Sequence, residues 1–248
     1  MGKKALILGV TGHGKSHAIQ FLDPKTTFVI NPDNKELPWR GSERIYKSVM
    51  KSVGGVSYKS SNYAVLRGMA EIETAITIIN VNRPDINCIV IDTLSHAMNR
   101  SVMDYLSVDG YAKYKLFANE FYTLMAAIDN IRPDLTVFIM AHVEVCDSIG
   151  EKKILQFQIP SGKFTREALV PESMFSVVLL SDMKMVDGKP QYFFRTQTNG
   201  LNTVKSPDGM FPPTIPNNLE TVRERIALYY NSEESLPEME EQVTADSF

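Results

Sequence analysis

Cysteine is scarce in this chain, two in 248 residues, and tryptophan occurs once. Cys88 and Cys146 both lie inside apolar, strand-like runs (CIVID and AHVEVC), which suits reduced core thiols better than a disulfide or a metal site. No uninterrupted apolar run approaches the length that spans a bilayer, so a helical membrane protein is excluded. The opening MGKKALILGV leaves no room for a charged region, an apolar stretch and a cleavage site of the secretory kind. Position 6 is Leu where N-myristoylation wants Ser or Thr. A cytoplasmic protein is therefore expected. Bases are missing from the last seventeen residues, SEESLPEMEEQVTADSF, which carry six acids. Taking those six from the total of 29 leaves 23 acids against 26 bases, so the net charge of −3 conceals a mildly basic body.

What is present is an ordinary soluble composition, 44% apolar and 22% charged, in a chain long enough for one sizeable core. Residues 4–8 form a short apolar run before a glycine-rich loop, and residues 16–22 read as a helix. TTFVIN (26–31), INCIVI (86–91) and LTVFIMAH (135–142) read as strands, the latter two as strands buried on both faces of a parallel sheet. Residues 34–62 look irregular, whereas 63–79 and 114–131 have helical apolar spacing. Strands alternating with helices argue a doubly wound α/β sheet. The second half changes character. ILQFQIP, FSVVLLSDMKM and QYFFRTQT alternate as strands do, and the Asp-Gly of VDGKP predicts an antiparallel hairpin. A last helix is expected over 219–230. The domain reading is one core, residues 1–231, followed by an acidic, disordered tail, residues 232–248.

The most specific motif is GVTGHGKS, in which Gly9, Gly14, Lys15 and Ser16 complete G-x-x-x-x-G-K-[ST] between a strand and a helix. Such a pattern arises by chance in a chain of this length roughly one time in a hundred. Its glycines let successive N–H groups converge on phosphates, so Gly9, Thr11, Gly12, His13, Gly14, Lys15, Ser16 and His17 are the expected nucleotide-binding residues. Lys15 should reach the β and γ phosphates of ATP, and Ser16 should ligate Mg²⁺. A carboxylate at a neighbouring strand end is also needed, and Asp92 closes CIVID where it would serve the metal. Asp33, ending VINPD, is a candidate to activate water, although an Asn-Pro-Asp turn is also ordinary loop chemistry. His142, in IMAHVE, emerges from a buried strand and is either a γ-phosphate sensor or a satisfied strand-end histidine.

With these strand ends in order, the chain resembles the RecA-type P-loop ATPase core, most of all RadA and the short RecA-like annealing ATPases of bacteriophages. The resemblance covers roughly residues 3–215. It implies that Asp33 polarises the attacking water, that Asp92-Thr93 is the Walker B end, and that Ala141-His142-Val143 belongs to a sensor strand. It also implies a DNA-facing loop over 148–166 and a basic residue, Lys205, that reaches a neighbouring subunit's nucleotide. The family motif's arginine has no counterpart in KSPDGMF, and Arg195 is the nearest substitute. A homo-oligomeric ring or filament in a host-cell cytoplasm follows from the same resemblance.

Two stretches are candidates for single-stranded DNA. Between residues 35 and 67, seven bases, among them Lys47, Lys51 and Lys59, face only two acids and are interleaved with Trp39, Tyr46, Tyr58 and Tyr63. Charge for phosphates and rings for stacking are what single strands require. The other is the loop carrying Lys152, Lys153, Lys163 and Arg166. The leading reading is an ATP-hydrolysing DNA recombination or annealing protein. A replication helicase or loader, and a nucleotide-switched binding protein or small-molecule kinase, are the competing readings. The acidic tail would cover a basic groove, engage a replication or single-strand-binding partner, or confer solubility.

Overall fold

β-Branched and aromatic runs become strands where turn residues bound them and helices cover both faces. The computed structural model describes residues 2–47, 61–146, 154–160, 169–231, 236–239 and 241. In chain order the elements are β1 (Lys3–Gly9), β2 (Thr27–Ile30), α1 (Ser42–Ile45), β3 (Tyr63–Ala64), α2 (Met69–Asn82), β4 (Cys88–Ile91), α3 (Leu94–Asp104), α4 (Ala112–Asp129) and β5 (Thr136–Cys146). They continue as β6 (Ile154–Phe157), β7 (Val178–Val186), β8 (Lys189–Arg195), β9 (Thr214–Pro216) and α5 (Leu219–Asn231). The fold is mixed α/β, mostly parallel, with antiparallel strands towards the C-terminus, as the sequence led one to expect. Two compact units divide it, and β1 and β5 each contribute residues to both.

The first unit comprises residues 1–4, 23–140 and 159–170. Its strands run β3-β2-β4-β5, all parallel, with Val29 opposite Tyr63, Phe28 opposite Ile89 and Ile89 opposite Val137. Lys3 N donates to Leu135 O, which sets the start of β1 beside the start of β5. β2 and β4 are buried along their whole length, the reason their sequences are continuously apolar. α2 and α4 are neighbours, and the residues they bury include Ile72, Ile76 and Ile79 on one and Phe117, Phe121 and Leu124 on the other. Glu71 starts α2 by accepting from the N–H groups of Arg67 and Gly68, and Pro84 ends it after Arg83. Cys88 is a buried free thiol, as its apolar run implied.

The second unit comprises residues 5–22, 141–158 and 171–248. β1 pairs in parallel with β7, Leu6 opposite Val178, and β7, β8 and β9 follow as antiparallel neighbours. Asp187 and Gly188, at φ 50° and 75°, make the two-residue hairpin turn that the Asp-Gly pair announced. The end of β5 pairs antiparallel with β6, Val143 opposite Phe157. Arg225 on α5, about nine-tenths buried, donates to Met210 O and to Pro237 O, which fastens a residue expected to be disordered.

Three expectations change. The helix after the glycine loop is a six-residue 3-10 segment, Ser16–Phe21, because Asp23-Pro24 follows and Pro disfavours helical backbone in the residue before it. Tyr63 does not open a helix: it pairs with Val29 as a strand, and helix begins only at Met69. The stretch expected to be irregular contains α1. Among the described residues no helix is long and apolar enough to cross a membrane.

Candidate nucleotide and catalytic site

The glycine loop joins β1 to the 3-10 segment in the second unit. Strand hydrogen bonding brings β1 to Gly9, and the chain then turns through Gly12 and Gly14 at φ 86° and 87°, which only glycine adopts without strain. Lys15 folds back into this loop. Its Nζ donates to Gly9 O at 2.7 Å and Val10 O at 3.0 Å, and lies 3.4 Å from His142 Nδ1. Lys15 is only 6% exposed, so the loop holds an ammonium at its centre, the group a polyphosphate would claim. Nothing stands within 4 Å of where a Cβ on Gly12 would lie, so the crown of the loop is open. These residues fit a nucleotide phosphate chain.

Residues from distant strands brace the loop. Ser181 Oγ donates to His13 O at 2.6 Å, and Asn217 Nδ2 donates to Ser181 Oγ at 3.1 Å. His13 Nδ1 sits 3.2 Å from Asp182 Oδ1, and Arg195 Nε donates to Asp182 Oδ2 at 2.8 Å. His17 Nδ1 lies 3.2 Å from Asn217 Oδ1, and its ring 5.1 Å from that of Tyr192. Sequence reasoning missed Ser181, Asp182, Tyr192 and Asn217. The one available signal was the polar Ser-Asp pair that breaks the apolar run VVLL.

Tyr192 also explains Gly14. A Cβ there would lie 2.6 Å from the tyrosine ring, in addition to the left-handed backbone. Gly14→Ala is therefore expected to cost about 1–3 kcal/mol locally, and at least about tenfold in ATP affinity by isothermal titration, while the melting profile stays cooperative.

The acidic candidates lie in the first unit. Asp92 follows β4, is 6% exposed, and precedes a cis peptide bond to Thr93. Asp33 follows β2 and is drawn to Thr93: Thr93 Oγ1 donates to Asp33 Oδ1 at 3.3 Å, and His96 Nδ1 lies 3.5 Å from the same oxygen. Lys35 Nζ donates to Asp33 Oδ2 at 2.9 Å, and this bond, with the negative charge behind it, raises the Lys35 pKa. The turn between β2 and Asp33 is fixed by Asn31, whose Nδ2 donates to Lys35 O at 2.6 Å and Tyr63 Oη at 2.7 Å while its buried Oδ1 has no partner. Burial raises the Tyr63 pKa against the effect of that bond, so the hydroxyl stays neutral and able to accept.

Thus Lys15 meets His142, and Asp33 meets the Thr93 that follows Asp92. Lys205 is exposed and forms a backbone bridge with Val178, its N donating at 3.0 Å and its O accepting at 2.8 Å. Arg195 is occupied within its own chain by Asp182. Among the DNA candidates Lys35, Arg40, Arg44, Lys47 and Arg67 are described and exposed, whereas Trp39 and Tyr63 are half-buried and Tyr46 is buried. Lys51, Lys59, Lys152, Lys153, Lys163 and Arg166 lie outside the described residues. No cluster of three or more His, Cys, Asp or Glu side chains suited to a metal occurs among the described residues. A magnesium ion held mainly by phosphates and water, with one hydroxyl and one carboxylate from protein, needs none.

A glycine loop that closes on a buried lysine at the end of β1 is the phosphate-binding arrangement of a P-loop ATPase. The family model described as "AAA domain" matches residues 1–207, and the chain belongs to that family. None of the curated proteins compared matches it. Among solved structures it is similar to a KaiC-like protein from the hyperthermophilic archaeon Pyrococcus horikoshii OT3, at 12% identity over 78% of each chain and a TM-score of 0.41.

Proposed function

We propose that this protein is an ATP-driven DNA recombination or single-strand annealing protein that assembles on single-stranded DNA as a ring or filament. The observation that supports the DNA reading most is Asp33. The candidate water-activating carboxylate stands two residues before the base- and aromatic-rich stretch, and Lys35 of that stretch is bonded to it. Catalytic and DNA-binding candidates are thus consecutive in the chain.

In this reading the loop N–H groups and Lys15 bind the phosphates, and Lys15 neutralises charge as the terminal phosphate departs. Ser16 and Asp92 are the protein ligands expected for Mg²⁺, which when bound withdraws charge from the phosphate oxygens. Asp33 orients water and accepts its proton. His142, close to the ammonium of Lys15, is suited to sensing its occupancy. Lys205, being exposed, is available to a neighbouring copy's nucleotide.

Steady-state ATPase assays with and without a dT oligonucleotide, run beside light scattering, test the reading. The expected result is a rate several-fold higher with the oligonucleotide, together with larger particles. An unstimulated rate with phosphate transfer to a small acceptor would sink it, and strand displacement in place of annealing would move the protein among the helicase motors.

A further inference from the structure

The carboxylate at the end of β2 is restrained on both oxygens. Oδ1 is engaged by Thr93 and His96, and Oδ2 by Lys35. A carboxylate activates water through an oxygen lone pair, and an ammonium 2.9 Å away occupies that oxygen. The partners differ in access: the Asp33 side chain is 9% exposed and the Lys35 side chain 75%. Lys35 also lines a cleft of about 530 Å³ with Glu36, Leu37, Glu43, Tyr46, Lys47 and Tyr63, so its walls carry two carboxylates as well as two ammonium groups. That volume lies in the range that holds a small ligand, and the cleft offers a second ammonium and two tyrosines, the residue types that take phosphates and bases.

We propose that Lys35 is a latch on Asp33, and that a backbone phosphate of single-stranded nucleic acid entering this cleft draws the ammonium away and frees the carboxylate to activate water. This rests on the reading of Asp33 as the water-activating group. The exchange is chemically even, because a phosphate oxygen offers an ammonium the same kind of charge-assisted bond that a carboxylate does. An ion pair with one partner in water is also weak enough to be exchanged readily. The latch would keep the motor slow until its track is present.

The test uses the full chain at saturating MgATP, with and without a dT oligonucleotide. Lys35→Met is expected to raise the rate without DNA several-fold at unchanged KM for ATP and to gain nothing further from the oligonucleotide. Lys35→Arg should bring back the slow rate and the stimulation. Adding Asp33→Asn to Lys35→Met should abolish the raised rate, which shows that Lys35 acts through Asp33. A Lys35→Met rate without DNA at or below that of the parent protein overturns the latch, whether or not stimulation survives. A parent protein indifferent to DNA overturns the nucleic-acid trigger instead, and the Lys35→Met rate without DNA still decides whether a latch exists.

Discussion

Replacing Lys15 by Ala is expected to lower ATP turnover about 10²–10³-fold, the range seen when one preorganised charge-stabilising donor is removed from an active site. The ammonium sits inside the loop, 6% exposed, bonded to Gly9 O and Val10 O. Losing those two bonds costs about 1–2 kcal/mol of stability, because Gly9 is buried and its carbonyl then lacks this donor. The fold should survive, since the strands are held by their apolar core and backbone pairing, and Lys15 meets β1 at its last residue. Circular dichroism should therefore show a cooperative transition at a modestly lower temperature, while phosphate release falls to the background of the assay. A variant that unfolds cooperatively and still turns over at the parent rate would remove the glycine loop from the chemistry.

Asp33→Asn should separate binding from hydrolysis. The amide keeps the size of the side chain and an oxygen for Thr93 Oγ1, yet it cannot take a proton from water. A fall of about 10²–10⁴-fold in kcat is expected, the usual contribution of a general base, with ATP affinity little changed because Asp33 is not part of the phosphate loop. Single-turnover hydrolysis beside equilibrium ATP binding reads both quantities. Equal losses in binding and turnover would mean that Asp33 is only a turn residue. Asp92→Asn is the contrasting control, since a metal ligand should lose Mg²⁺-dependent binding together with hydrolysis.

The parts of the fold legible in the sequence were those encoded locally. The phosphate loop was readable letter by letter because its backbone demands glycine at fixed offsets, and positive φ at Gly12 and Gly14 is that demand met. β2 and β4 were readable because burial on both faces leaves no polar position, and the β7–β8 turn because Asp-Gly matches the twist of a tight hairpin. Tyr63 misled because Leu66, Met69, Ile72 and Ile76 share a helical spacing that extends past the true start of α2. Pairing with Val29 and the bond from Asn31 hold Tyr63 extended instead. The bracing of the loop left a single trace in the sequence, the polar Ser181-Asp182 pair after VVLL. Ser181, Asp182, Tyr192 and Asn217 are separated from Gly14 by well over a hundred positions and meet it only because β7 pairs with β1. Arg195, the nearest arginine that the resemblance offered for a neighbouring subunit, is paired with Asp182 of its own chain, a contact that only the fold reveals.

The single tryptophan stands where the proposed events would be felt. Trp39 belongs to the segment that follows Asp33 and Lys35, and its ring meets that of Tyr46, a residue lining the cleft, edge to face at 6.1 Å. Tyrosine is not excited at the red edge of indole absorption, so emission there reports this one segment and nothing else in the chain. The protein thus carries an intrinsic optical probe beside its cleft, and stopped-flow mixing with an oligonucleotide can time what happens there against phosphate release without attaching any label.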